Sequence, residues 1–144
     1  VEIIGESAFA SCQSLKSIHF PESITELMPA AFNNCDNIIS VRFPDSLKII
    51  MYSVFSDCDN LTSIRFGEDL EQIAGWAFSN NPKCLVYDFS RCKKIPALYW
   101  YYVEGDTFSK MPDGAKVIVP CALYDEWKTS TNWVYYADRI VAAT

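Results

Sequence analysis

Four phenylalanines, Phe9, Phe32, Phe55 and Phe78, stand 23 residues apart, each behind a small apolar residue: Ala8, Ala31, Val54 and Ala77. A fixed period of this length marks a solenoid, in which supersecondary units stack and each contacts only its neighbours. Written in rows of 23, other columns fall into line. Val1, Ile24, Leu47 and Leu70 form one, and Ile4, Leu27, Ile50 and Ile73 the next. Cys12, Cys35 and Cys58 share a column that Asn81 completes. Leu15, Ile38, Leu61 and Cys84 follow, then Ile18, Val41, Ile64 and Tyr87, then Phe20, Phe43, Phe66 and Phe89. Such a chain offers an extended binding surface rather than a compact catalytic pocket.

The spacing within a row gives the local structure. Leu15-x-x-Ile18-x-Phe20 ends on apolar residues two apart, the strand period. Pro21 and Pro44 stop the strand because proline cannot donate to a ladder. Ile24-x-x-Leu27 then runs back along the other side, and the Ala-Phe pair with Asn33-Asn34 turns the chain toward the next strand. One rung has no second face to bury its apolar side chains. Rungs stacked about 4.8 Å apart turn the columns into a continuous core. The Phe column is therefore a buried spine and holds no functional residue.

The pattern Cys-x-x-Leu-x-x-Ile-x-Phe-Pro-x-x-Ile-x-x-Leu-x-x-x-Ala-Phe resembles the BspA-like class of leucine-rich repeat, over residues 1–98. The resemblance implies a leucine-rich repeat solenoid. It is mainly β, with parallel strands stacked in a right-handed superhelix, short helical turns, and a small α/β C-terminal cap over residues 99–144. It also implies a non-enzymatic protein-binding or adhesion module, secreted or on a bacterial cell surface, that attaches to host matrix proteins or other cells. The class carries a Gly after the second apolar residue of the return segment. Gly5 fits, whereas Met28, Met51 and Ala74 depart, so the backbone there needs no positive φ.

The period fades after Phe89: Ser90 replaces the proline and Lys93 stands in an apolar column. Tyr99-Trp100-Tyr101-Tyr102 has no equivalent in the repeat. Gly114 to Pro120 reads as a last strand, alternating and ended by proline. Leu123 to Lys128 reads as a short helix with Leu123 and Trp127 on one face. Ala137 to Ala143 is a final apolar segment, strand or helix. Asp88 to Cys92, Val119-Pro120, Leu123 to Trp127 and Asn132-Trp133 resemble the C-terminal cap of surface leucine-rich repeat proteins of gut bacteria, from which the insertion Tyr99 to Gly105 departs. Val1 is already in phase and nothing comparable caps the other end. The chain thus reads as a trimmed piece of a longer protein with more rungs upstream.

A net charge of −6 and a pI near 4.7 argue against nucleic acid and anionic lipid as partners. No apolar run approaches the roughly 20 residues needed to span a bilayer, so no membrane insertion by this segment is expected. Cys12, Cys35 and Cys58 point the same way on neighbouring rungs, and parallel Cβ vectors do not suit a disulfide. They read as a column of buried thiols, a place where leucine-rich repeats use Asn or Cys interchangeably. Cys92 and Cys121 are isolated in sequence and could meet in the cap. There is no Cys-x-x-Cys and the single histidine is His19, so neither metal nor cofactor is expected. A Ser–His–Asp site would have to use His19, but Ser17, Ser40 and Ser63 form a repeated column rather than one activated nucleophile. No catalytic residue is assigned. Glu22, Asp45 and Glu68-Asp69 fall in exposed turn columns and read as a solvated acidic rim.

The outward strand positions are the leading candidate site: Ser17 and His19, Ser40 and Arg42, Ser63 and Arg65, Val86 and Asp88. On an acidic protein the stripe His19-Arg42-Arg65 stands out. Like charges on adjacent strands repel, so either the rim carboxylates or an acidic partner must compensate them. The second candidate is an aromatic platform at Tyr99, Trp100, Tyr101 and Tyr102, suited to stacking on a glycan; its plainer reading is packing of the cap on the last rung. Protein binding at the strand face is the leading function. A carbohydrate-binding module and a structural spacer are the alternatives.

Overall fold

The computed structural model describes residues 2–100 and 106–144, and its columns form two parallel sheets. The first runs β1 (Glu2–Ile4), β2 (Ile24–Leu27), β4 (Ile49–Ile50), β6 (Gln72–Ala74) and β8 (Ala97–Tyr99). The second runs β3 (Ser40–Arg42), β5 (Ser63–Arg65), β7 (Val86–Asp88), β9 (Lys116–Val119) and β10 (Ile140–Ala142). The register reproduces the 23-residue period: Val41 pairs with Ile64, and Ile64 with Tyr87. This is the mainly β solenoid that the columns predict.

Two aromatic columns fill the space between the sheets. Phe9, Phe32, Phe55 and Phe78 stack nearly parallel, with centroids 5.2, 5.0 and 6.4 Å apart. Phe20, Phe43 and Phe66 form the second column at 5.5 Å spacings. The two meet edge to face, as at Phe20–Phe32 and Phe66–Phe78, the geometry that aromatic quadrupoles favour. Phe32, Phe55 and Phe78 are buried, while Phe9 at the open end is 44% exposed.

The strand expected over Leu15 to Phe20 does not form, which leaves β3 at the edge of the second sheet. The first rung has a neighbour on one side only, and its Leu15 and Ile18 are only partly buried, so little holds it in a ladder. The fading of the period also has a structural cause. Ile73 pairs with Leu98, 25 residues on, and Phe78 stacks on Phe108, 30 residues on, at 5.8 Å. The return segment after Phe89 is two residues longer around Lys93-Lys94, and the stretch between Tyr99 and Phe108 is longer by five. The stacking itself continues: β9 joins β7 in parallel, and the expected last strand is in place.

Beyond β9, a 3-10 turn (Cys121–Leu123) leads into α1 (Tyr124–Thr129), then a 3-10 stretch (Trp133–Arg139) and β10. Trp127 and Trp133 close the end of one Phe column against Phe89, at 5.6 and 5.3 Å. Trp133 and Tyr136 close the other against Phe108. The Trp133 indole N–H donates to the Pro96 carbonyl at 2.7 Å and fixes this plug.

Met28, Met51 and Ala74 do not have positive φ, as their side chains require. Two other columns do: Ser7, Ala30, Ser53 and Trp76, and Ser11, Asn34, Asp57 and Asn80. Asn and Asp tolerate this conformation, whereas a β-carbon elsewhere costs roughly 1–2 kcal/mol. The cost is borne because these left-handed turns let amides reach the next rung, as Ser7 N–H to Pro29 O and Ala30 N–H to Tyr52 O.

Candidate functional site

The thiol column shows how a rung position can be satisfied by the fold alone. Cys35 Sγ donates to the Phe9 carbonyl at 3.1 Å, Cys58 Sγ to Phe32 at 3.5 Å, and Asn81 Nδ2 to Phe55 at 2.8 Å. Each donor reaches the Phe carbonyl one rung back, which explains the Cys and Asn exchange. Burial pushes the Cys58 thiol up to about 12 and raises that of Cys35. These groups are protonated donors, not nucleophiles. Cys92 and Cys121 are unpaired; their sulfurs donate to Gly67 O and Ala143 O.

Asp45, Glu68 and Asp69 of the acidic rim are likewise satisfied, by cations of the last rung. Arg91 bridges Asp45 at 2.8 Å and Glu68 at 3.3 Å, and Lys93 bridges Glu68 and Asp69. Asp45 Oδ1 also accepts the Glu68 amide at 3.1 Å. The hydrogen bond from Arg91 holds the Asp45 carboxyl below its ordinary range, opposed by partial burial. Glu68 and Asp69 raise Lys93 in turn. Gly67 is what brings these turns close: a Cβ there would lie 2.3 Å from the Pro44 carbonyl oxygen.

The strand face is different. β3 and β5 place Ser40 beside Ser63 and Arg42 beside Arg65, and β7 adds Val86 and Asp88. Ser17 and His19 are exposed in the first rung, outside any strand. His19 still lines a depression of 440 Å³ with Arg42 and Glu22. Among the described residues, no carboxylate lies within 4 Å of the side-chain nitrogens of His19, Arg42 or Arg65. Of the rim carboxylates, Asp45, Glu68 and Asp69 are taken by Arg91 and Lys93, and Glu22 lines the depression without an ion pair among the described residues. Asp88 turns instead to its own loop, where Oδ1 accepts the Ser90 amide at 2.9 Å. Arg65 Nε is buried and has no hydrogen-bond partner among the described residues. An orphan donor of this kind costs about 1–3 kcal/mol.

Two exposed apolar residues outside the sequence reading stand immediately before the strands of this sheet. Ile39 is 53% exposed and Leu85 48%, in the column that precedes the strands. Thr62, between them in the same column, spends its hydroxyl on the Ile39 carbonyl. The signal was an apolar residue directly after a core one, Ile38-Ile39 and Cys84-Leu85, two adjacent apolar side chains that cannot both be buried in the same column.

Of the aromatic candidates, Tyr101 and Tyr102 lie outside the described residues. Tyr99 is 47% exposed at the end of β8. Trp100 donates its indole N–H to Thr107 Oγ1 at 3.0 Å and stacks on Tyr135 at 5.8 Å, with Tyr135 strongly exposed. Part of the cluster thus packs on the C-terminal segment. Among the described residues, no helix is long and apolar enough to cross a membrane, and no group of three or more His, Cys, Asp and Glu is placed to hold a metal ion.

Two parallel sheets, a ring spine and a rung-spaced donor column define a leucine-rich repeat. Residues 1–104 match the model of the BspA-type leucine-rich repeat region (6 copies), and the chain belongs to that family. The crystal structure of a leucine-rich repeat protein from Bacteroides ovatus has a similar fold. Its TM-score is 0.56 at 23% identity, over 83% of this chain and 35% of that one. The chain thus spans about a third of that protein's length. No curated protein is similar enough to the chain to match it. Leucine-rich repeats of this kind serve generally as non-enzymatic protein-interaction modules, and BspA-type proteins are typically surface or secreted in bacteria.

Proposed function

We propose that this chain is an adhesion module of a secreted or cell-surface bacterial protein, and that it captures a protein ligand on the face of the second sheet. Residues 1–98 act as the repeat array and 99–144 as its cap. The observation that carries the reading is the contrast in charge satisfaction. The rim acids Asp45, Glu68 and Asp69 are paired, whereas His19, Arg42 and Arg65 stand in a row without carboxylate partners among the described residues. Ser17, Ser40 and Ser63 beside them are small enough to let a ligand approach the strands, and Asp88 marks the end of the cationic stripe. A host matrix or cell-surface protein is the class of partner that fits.

The test is binding to a panel of immobilised extracellular-matrix proteins. Arg42→Glu combined with Arg65→Glu abolishes capture while leaving the fold intact by circular dichroism. Unchanged capture removes the strand-face reading, and a spacer captures nothing at all. The stacked Trp100–Tyr135 pair, with Tyr135 exposed, supports a second reading, glycan binding, which predicts a glycan-array signal lost in Trp100→Ala.

A further inference from the structure

We propose that the cleft between Arg42 and Arg65 is a carboxylate seat. It takes one aspartate or glutamate side chain of a partner segment that also carries apolar residues. This rests on the strand-face reading and names the chemistry of its ligand.

Three observations converge on it. Arg65 Nε is buried and unpartnered, so the guanidinium meets a carboxylate through its two terminal nitrogens, which can take it by two parallel hydrogen bonds. Arg42, Arg65 and Arg91 line one cleft of 60 Å³, small enough to suit a single compact group. Arg91 is engaged by Asp45 and Glu68, so Arg42 and Arg65 remain for a ligand. The third observation is the border. Glu22 and Asp45 flank the cleft, on a chain of net charge −6. A positive spot set in a negative surround accepts one carboxylate and repels a polyanion such as a sulfated glycan. Ile39 begins about 10 Å from Arg42 along the strand, three residues back, and Leu85 exposes a second apolar side chain in the same column. An apolar residue near the acidic one in the partner has a surface to meet, which favours a peptide segment over a free small acid.

The experiment follows the Arg65 Nε–H signal by NMR in the arginine-labelled chain during titration with a capped Leu-Ser-Asp-Ser-Leu peptide. The Asp peptide shifts the signal saturably, and its Asn counterpart binds at least about tenfold more weakly. Arg65→Lys keeps the charge but loses the fork, and weakens the Asp peptide by at least about tenfold. Glu22→Gln strengthens it. Equal affinity for the two peptides overturns the proposal, as does full affinity in Arg65→Lys. An unmoved Arg65 signal at about 10 mM peptide also overturns it, and so does a heparin oligosaccharide that binds Arg65 more tightly than the peptide. The two readings fail separately. If the peptides are not distinguished but Arg42→Glu with Arg65→Glu still abolishes protein capture, the strand face stands and the carboxylate seat falls. If capture is unchanged in that variant, the strand-face reading falls on its own test.

Discussion

The acidic rim and the strand face are both products of copying one rung, yet only one of them is closed by the molecule itself. Asp45, Glu68 and Asp69 recur in neighbouring turn columns, and Arg91 and Lys93 on the next rung neutralise them. His19, Arg42 and Arg65 recur in a strand column a few residues away and receive no such partner among the described residues. Repetition alone produces charge columns that repel themselves. Where the fold then supplies a counter-charge, the column is part of the structure. Where it does not, the column is a candidate for a partner to complete.

The comparison requires that both regions ride on the same spine. Phe55→Ala should cost about 3–5 kcal/mol and lower rim and face together, because Phe55 is buried between Phe32 and Phe78. Phe9→Ala should cost clearly less, since that ring is exposed at the open end. Denaturant titration decides, and a Phe9 variant that unfolds first breaks the account of the spine. Gly67→Ala comes next. The new β-carbon meets the Pro44 backbone, and overpacking of this kind costs roughly 1–3 kcal/mol. A neutral Gly67→Ala would show that the rim turns are not held in contact.

Arg91→Ala should have a smaller effect, because the ion pairs it makes are largely exposed. Its signature is pH dependence. The Asp45 carboxyl lies below its ordinary value in the folded chain, so its stabilisation is full above the unfolded value and is lost as pH falls through the folded one. The difference in stability between the parent chain and Arg91→Ala should therefore shrink toward zero on acidification. A difference that persists in acid would mean that Arg91 acts through packing of its stem.

Much of this was legible in the sequence, and the misses have physical causes. The columns give the spine, the two strands of the inner rungs and the outward placement of Ser40, Arg42, Ser63 and Arg65, because strand periodicity fixes side-chain direction. The donor column was readable as far as burial, but only the structure shows that Cys35, Cys58 and Asn81 all reach a Phe carbonyl one rung back. The continuation of the ring stack at Phe108 was hidden by seven additional residues that break the spacing without breaking the packing. The missing first strand goes with the partial burial of Leu15 and Ile18 on the end rung, which no local pattern encodes. The pairing of the rim with Arg91 follows the period, since Arg91 stands 46 residues, two rungs, from Asp45, but the column had to be followed past the point where its acidic residues give way to a cation.

The central claim is that the fold does not need the cations of the strand face. The direct measurement is the denaturation midpoint of Arg42→Met combined with Arg65→Met, a change that keeps the apolar stems and removes both charges. Relief of repulsion and removal of the orphaned Nε should leave the chain as stable as before or more so. A loss of more than about 1 kcal/mol would show that the structure relies on these arginines, and would contradict the claim.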